Sequence, residues 1–392
     1  MFKRILTLLL VAGLLFTSVP IYAKDYATIT QKEGVPFYAG LEWQLIDRQT
    51  LAAATQSVSF TGLTGNTDLT YQVIGFIKSG AANSLIKIRF NNDTTDANYG
   101  LQNISGTNST AAAARVTNNC YLNSTNTASG NYAFFEAIIA AKSGVNRTII
   151  SKCATEISTT TVTAVTLAGA VWNNSADEVT RIDVDSGVAS GLGIGSDIFL
   201  FVRRQLGSEA SAGKQYGKVN VKGITNIGTW QLAYSNTLAA PAASVTIPTL
   251  TGNTAVLYRL KCRFVDKTTT GGYYMLINAD ATTYGYQKIT GADTTVAAVR
   301  DTSEAQIDLG YTNTDGNICM SDTLLYANAG NIRLLLSTTA EGIATTTVTT
   351  TKLIGQSYDN TTDEVTSLVI GALNDNMGIG TNIELWALRL SN

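Results

Sequence analysis

Apolar and polar residues alternate with a period of two along most of this chain. Leu69, Tyr71, Val73 and Ile77 fall on one face of a short run, with Gly75 between them. Further on, Val256, Tyr258, Leu260, Cys262 and Phe264 point one way, and Arg259, Lys261 and Arg263 point the other. Ile86, Ile88 and Phe90 alternate with Lys87 and Arg89, and Arg181-Ile182-Asp183-Val184-Asp185 alternates without a break. This period predicts strands with one face buried. Turn formers separate the runs: Thr64-Gly65-Asn66, Asn91-Asn92-Asp93, Ser129-Gly130-Asn131 and Asn173-Asn174-Ser175. Gly193 to Gly195 turns into the apolar run Ile198 to Val202. Many short strands joined by such turns predict an antiparallel sandwich with polar outer faces.

The pattern occurs twice. Trp43-Gln44-Leu45 returns as Trp230-Gln231-Leu232, an offset of 187 residues (230 − 43). Leu51-Ala52-Ala53 and Leu63-Thr64-Gly65-Asn66-Thr67 return at the same offset, as Leu238-Ala239-Ala240 and Leu250-Thr251-Gly252-Asn253-Thr254. Later matches slip by a residue or two, as short loop deletions cause: Thr160-Thr161-Val162-Thr163 with Thr346-Thr347-Val348-Thr349, and Asp177-Glu178-Val179-Thr180 with Asp363-Glu364-Val365-Thr366. A period this long fits a duplicated domain rather than a solenoid. The one helix candidate, the Ala-rich run Tyr132 to Lys142, has a copy at Ile318 to Asn328 that contains Cys, Ser and Thr. Those are weaker helix formers, so both runs are read as strands. The expected fold is all-β: two tandem antiparallel, jelly-roll-like β-sandwich domains after an N-terminal signal peptide.

The boundaries follow. Lys3 and Arg4, the apolar run Ile5 to Val19, Pro20 and the small Ala23 read as an export signal at 1–23, too short an apolar run to span a bilayer comfortably. An extension occupies 24–39, the first sandwich 40–205, and the second 226–392. Between them, 206–225 holds Gly207, Ser208, Ser211, Gly213 and Gly217, the composition of a flexible linker. The expected location is outside the cytoplasm, secreted or on a cell or virion surface, with membrane contact only through the signal.

Charge narrows the partners. Lys and Arg number 27 and Asp and Glu 29, so no strong field draws nucleic acid. The chain has no His, which removes the commonest general base and metal ligand. Carboxylate-pair chemistry and calcium binding survive that loss. Two cysteines fall in each half, and an exported chain permits disulfides, so Cys120–Cys153 and Cys262–Cys319 are the favoured pairs. The alternative is four buried thiols.

Several motifs together carry a resemblance. Trp-Gln-Leu is followed by Leu-Ala-Ala, an aromatic strand at Tyr71 or Tyr258, and an apolar strand running into Asn91-Asn92-Asp93. Tyr99-Gly100-Leu101-Gln102, echoed by Tyr284-Gly285-Tyr286-Gln287, comes next, and Trp172 and an Asp-Glu-Val-Thr strand close the domain. This order resembles a recurrent β-sandwich domain of tailed-phage virion proteins of the head-fibre, decoration and tail-appendage type. The resemblance implies a non-enzymatic structural or attachment module, often oligomeric. The export signal departs from it, because a virion protein assembled in the cytoplasm needs none.

Four candidate sites emerge. Asn91, Asp93 and Asp96 crowd hard oxygen ligands into one loop and make a weak calcium candidate. A turn whose side chains cap their own backbone is the preferred reading of that loop. Asp177-Glu178 and Asp363-Glu364 are adjacent on the chain, so neither pair can straddle a glycosidic bond. Tyr273, Tyr274, Tyr284 and Tyr286 cluster where the first half has only Tyr99, and aromatic faces suit the apolar faces of sugars. Trp43 and Trp230, shared by both halves, read as core anchors. Asn-x-Ser/Thr triplets begin at Asn103, Asn108, Asn123 and Asn146, as chance produces in so Thr- and Asn-rich a chain.

The functional expectation is a non-catalytic exported or virion-surface attachment protein without a cofactor. Its partners would be surface glycans or other surface proteins, and it would tend to form a homo-oligomer. The alternatives are a secreted glycan-active enzyme and a self-assembling shell or filament subunit.

Overall fold

The computed structural model describes residues 43–203 and 228–390, except for short loop positions at 83, 118–119, 124–126, 268–270, 293–294, 313, 315, 345–347 and 375. The export signal, the extension and the linker lie outside the described residues.

The alternating runs form strands. In the first half these are β1 (Trp43–Thr50), β2 (Ser57–Thr61), β3 (Thr70–Lys78), β4 (Lys87–Phe90), β5 (Tyr99–Thr107), β6 (Thr110–Val116), β7 (Tyr132–Ala140), β8 (Arg147–Ser158), β9 (Thr161–Trp172), β10 (Arg181–Asp185) and β11 (Asp197–Arg203). In the second half they are β12 (Gly228–Thr237), β13 (Ser244–Ile247), β14 (Leu257–Val265), β15 (Gly271–Ile277), β16 (Tyr284–Ala292), β17 (Thr295–Glu304), β18 (Ile307–Thr312), β19 (Ile318–Tyr326), β20 (Arg333–Ile343), β21 (Thr350–Tyr358), β22 (Leu368–Ala372) and β23 (Asn382–Leu390). One helical turn, Gly65–Asp68, is the only α-helix among the described residues. The Ala-rich run is strand β7, as its weaker copy β19 predicts.

The strand order is the same twice. From the middle outwards the large sheet of the first half reads β1-β11-β3-β7-β8-β9-β5-β6, and that of the second reads β12-β23-β14-β19-β20-β21-β16-β17. Each strand sits where its repeat sits. A small sheet faces each large one: β2-β10-β4 in the first half and β13-β22-β15-β18 in the second. All pairings are antiparallel. The two large sheets meet edge to edge through a single residue pair, Gln44 with Thr229. At that edge Trp43 lies opposite Arg203, and Gly228 opposite Leu390. The first and last strands of each half therefore begin and end side by side.

Each half has its own apolar interior. Tyr71, Val73, Ile77, Ile88, Phe90 and Val184 belong to one cluster, and Tyr258, Leu260, Phe264, Met275, Ile370 and Leu385 to the other. These include the faces that alternation assigned inwards. Gly75 leaves room for the ring of Phe135 inside the first sandwich.

The outer faces correct the sequence reading. They were expected to be polar, yet the large sheets carry Phe76, Phe134, Leu324, Tyr326, Leu336 and Leu353 there, all buried. The second half packs this face on the first. Phe76 stacks on Tyr326 with centroids 4.0 Å apart, and Phe201 stacks on Trp230 at 6.1 Å. An ionic row centred on the buried Glu136 crosses the same contact: Lys152 to Glu136 at 2.9 Å, Glu136 to Arg259 at 3.1 Å, and Arg259 to the half-buried Asp322 at 2.5 Å. Strands buried on both faces lose their alternation, which is why Ile74 and Phe76 interrupt the pattern in β3.

Candidate functional site

The duplicated loops are structural. Asn91 and Asn92 adopt positive φ, as do Asn278 and Ala279. Asn91 Oδ1 accepts the main-chain N–H of Thr180 at 2.9 Å and of Arg181 at 3.1 Å; Asn278 does the same for Thr366 and Ser367. Asp93 accepts from the Trp172 indole and from Asn98, both at 2.8 Å, and Asp280 accepts from the Tyr358 hydroxyl at 2.8 Å. Burial alone would raise the Asp93 carboxyl, but these hydrogen bonds outweigh it and hold the group below the usual carboxylate range. Asp96 is tied to Arg89 at 2.9 Å. The three calcium candidates are thus each engaged by the fold, and no cluster of three metal-ligating side chains occurs among the described residues.

The acidic pairs brace turns. Glu178 accepts from Asn66 N–H at 2.9 Å and Glu364 from Asn253 N–H at 3.0 Å. The main-chain carbonyls of Asp177 and Asp363 accept from the buried guanidinium groups of Arg147 and Arg333. Asn103 and Asn123 are buried, which removes them as glycan acceptors.

Neither favoured disulfide forms. All four cysteines are buried as thiols. Cys120 instead donates to the Ile88 carbonyl at 2.7 Å. Cys262 lies opposite Ser321, and Cys319 opposite Phe264, so the two occupy diagonal rather than facing positions.

The tyrosine cluster divides. Tyr284 is 1% exposed and repeats the role of Tyr99: its hydroxyl takes the Ile277 N–H at 2.9 Å, as Tyr99 takes that of Phe90 at 3.0 Å. Tyr273 is buried against Phe264, with centroids 4.1 Å apart, and bonds Thr312. Tyr274 covers Gly371 on the solvent face of the small sheet. Tyr273 and Tyr286 both line one open cavity, and of these two only Tyr286, half-buried, lies outside the apolar core.

That cavity is the candidate site. It holds about 250 Å³ at the open edge of the second sandwich, between β16–β17 and β15–β18. Tyr286, Lys288, Glu304, Asp308, Tyr311 and Lys352 line it. Lys288 Nζ sits 4.5 Å from the Tyr286 ring centroid and 3.3 Å from Asp308. Lys352 bonds Glu341 at 2.7 Å. Burial is the largest influence on Lys288 and would lower it, but Asp308 and Tyr286 hold it above its ordinary value. Burial and the neighbouring Asp301 push Glu304 up. Tyr311 and Leu373 form an exposed apolar rim.

The first half places its own lysine, tyrosine and carboxylate elsewhere, with Lys87 Nζ 5.2 Å from the Tyr121 ring centroid and 3.8 Å from Asp96. In register, Tyr286 and Lys288 stand where it has Leu101 and Asn103. Glu341 and Lys352 stand where it has Thr155 and Thr166. Sequence reasoning found Tyr286 but missed Lys288, Glu304, Asp308, Tyr311, Glu341 and Lys352. The signal was present: a position-by-position comparison of the repeats marks the charged substitutions.

No family model matches the chain, and no curated protein matches it. Among solved structures it is similar to mouse laminin alpha1 chain, domains LG4-5, at 9% identity over 86% of this chain and 89% of that one, with a TM-score of 0.19. It is similar to the LG1-3 region of the laminin alpha2 chain at 10% identity over 89% and 62%, with a TM-score of 0.21. The infectious bursal disease virus VP2 subviral particle follows at 8% identity over 88% and 82%, with a TM-score of 0.13. At such scores the likenesses bear no weight, and the functional reading rests on this chain's own residues.

Proposed function

We propose that this chain is a non-catalytic exported surface protein that attaches through the cavity of its second half to a sugar. The observation that carries the reading is the one-sided placement of that cavity. Tyr286, Lys288, Glu304 and Asp308 converge in one repeat, where the other has Leu101 and Asn103 in place of Tyr286 and Lys288. The volume suits one ring rather than an extended chain, being below the ~300–1,000 Å³ of pockets for larger ligands. Tyr286 and Tyr311 supply aromatic surface for an apolar sugar face, while lysine and carboxylate groups exchange hydrogen bonds with hydroxyls.

Attachment rather than hydrolysis is favoured by the state of the acids. Asp308 and Glu341 are each bound to a lysine, and Asp301, the other carboxylate beside Glu304, does not line the cavity. The surface location, cellular or virion, rests on the N-terminal pattern and the repeated motifs. Glycan-array binding by the purified chain tests the reading. Binding should fall at least tenfold in Tyr286→Ala and Lys288→Ala and stay unchanged in Val145→Ala, at an exposed position of the first half. Equal binding by all of these variants, or sugar release abolished by Glu304→Gln, would overturn it.

A further inference from the structure

One apolar stripe occurs on both large sheets and meets two different fates. On the second half it consists of Ile289, Leu324, Leu336 and Leu353, which are 7%, 1%, 0% and 6% exposed. None belongs to the sandwich interior; they face the first half. Their counterparts on the first half are Ile104, Ile138, Ile150 and Leu167, which are 40%, 40%, 65% and 44% exposed. These lie together, since Ile138 is opposite Ile150, and Ile104 opposite Leu167. Four large apolar side chains aligned on neighbouring strands make a contiguous exposed patch, and such a patch calls for a cover.

The cover used inside the chain shows what fits. Gly355 lies so close to Ala154, Val162 and Val165 that a side chain there would clash, and Gly285 meets the main chain of Thr160. Ile289 packs on Gly106, and Gln287 donates to the Asn108 carbonyl at 2.9 Å. The first half keeps the same docking set. Gly100, Gln102, Gly169 and Ile150 line an open groove of about 700 Å³, and a side chain at Gly169 would meet nothing within 4 Å. The receiving surface is repeated as well. Ala154, Val162 and Val165 have Ala340, Val348 and Thr351 as counterparts, and Val348 is 54% exposed.

We infer that a second copy of this chain covers the stripe of the first half, presenting its own Ala340, Val348 and Thr351 to Gly169, beside Ile150 and Leu167, as Ala154, Val162 and Val165 are presented to Gly355 within the chain. The contact repeats the one each chain makes internally. Because the two surfaces differ, association is head to tail and either closes into a ring or continues as a filament. The inference does not rest on the sugar reading, since the cavity lies on the opposite face of its sheet.

The test measures mass in solution by sedimentation. The wild-type chain should form species larger than one chain. Ile150→Asp, at an exposed position, and Val348→Asp should each give single chains with unchanged circular dichroism and melting; Leu167→Glu replaces the first should it fail to fold. Each variant keeps one intact surface, so an equimolar mixture should give pairs and nothing larger. A wild-type chain that stays single, variants that assemble like wild type, or a mixture that yields no pairs would each overturn the inference.

Discussion

Phe76 and Tyr326 stack face to face, 4.0 Å between ring centroids and 14° between planes, and they come from different halves of the chain. Both rings are buried. The contact makes the outer face of each large sheet an interior surface.

Phe76→Ala should therefore destabilise the protein by about 3–5 kcal/mol, the usual cost of deleting a buried aromatic ring. Chemical denaturation should also become less cooperative, because each half retains its own apolar cluster. A single sharp transition with unchanged midpoint would show that the two halves do not depend on this contact.

Glu136 sets a pH dependence. Burial would raise its carboxyl, but Lys152 and Arg259 outweigh burial and hold it below the ordinary range; Arg259 does the same for Asp322. A carboxylate with a lowered folded-state value stabilises the fold above its unfolded value, and that contribution disappears as pH falls through the folded one. Melting temperature should fall on acidification below about pH 4.5, the unperturbed glutamate value. Glu136→Gln should lower stability at neutral pH by roughly 3–5 kcal/mol, as breaking a buried pair does, and should flatten the acid limb. A parallel acid limb in the variant would exclude this row as its cause.

Asp93 is engaged by Trp172, Asn98 and Thr95. Millimolar calcium should leave the melting temperature unchanged, because an ion bound only by the folded state would raise it. Asp93→Ala should cost about 1–3 kcal/mol through the orphaned indole N–H. A calcium-dependent rise would restore the loop as a metal site.

The thiols provide a fourth check. Burial pushes Cys120 up to about 12, and Cys153, Cys262 and Cys319 are also raised by burial. Thiolate is the reactive form, so a thiol reagent should label none of the four in the native chain and all four after unfolding. A mass two hydrogens lower per bridge, reversed by reduction, would reinstate a disulfide.

Much of the fold is legible in the sequence. Period-two alternation in β4, β10 and β14 marks their buried faces, and the repeat assigns matching strands. What alternation cannot show is a second buried face. Ile74, Phe134 and Leu336 read as noise in an alternating strand until another sheet is placed against them. The site was half legible for a similar reason. Tyrosine density drew attention to β15 and β16, but Tyr284 serves the core as Tyr99 does. The distinguishing residues, Lys288, Lys352 and Glu341, sit on three strands that only the sheet order brings together.

The side-by-side ends of each half, Trp43 with Arg203 and Gly228 with Leu390, make each sandwich a cassette. A unit whose two termini emerge at one edge can be spliced into a gene, or lost from it, without rethreading any strand. Such a unit is free to multiply, and each extra copy can then diverge in its loops while the parent keeps the original task.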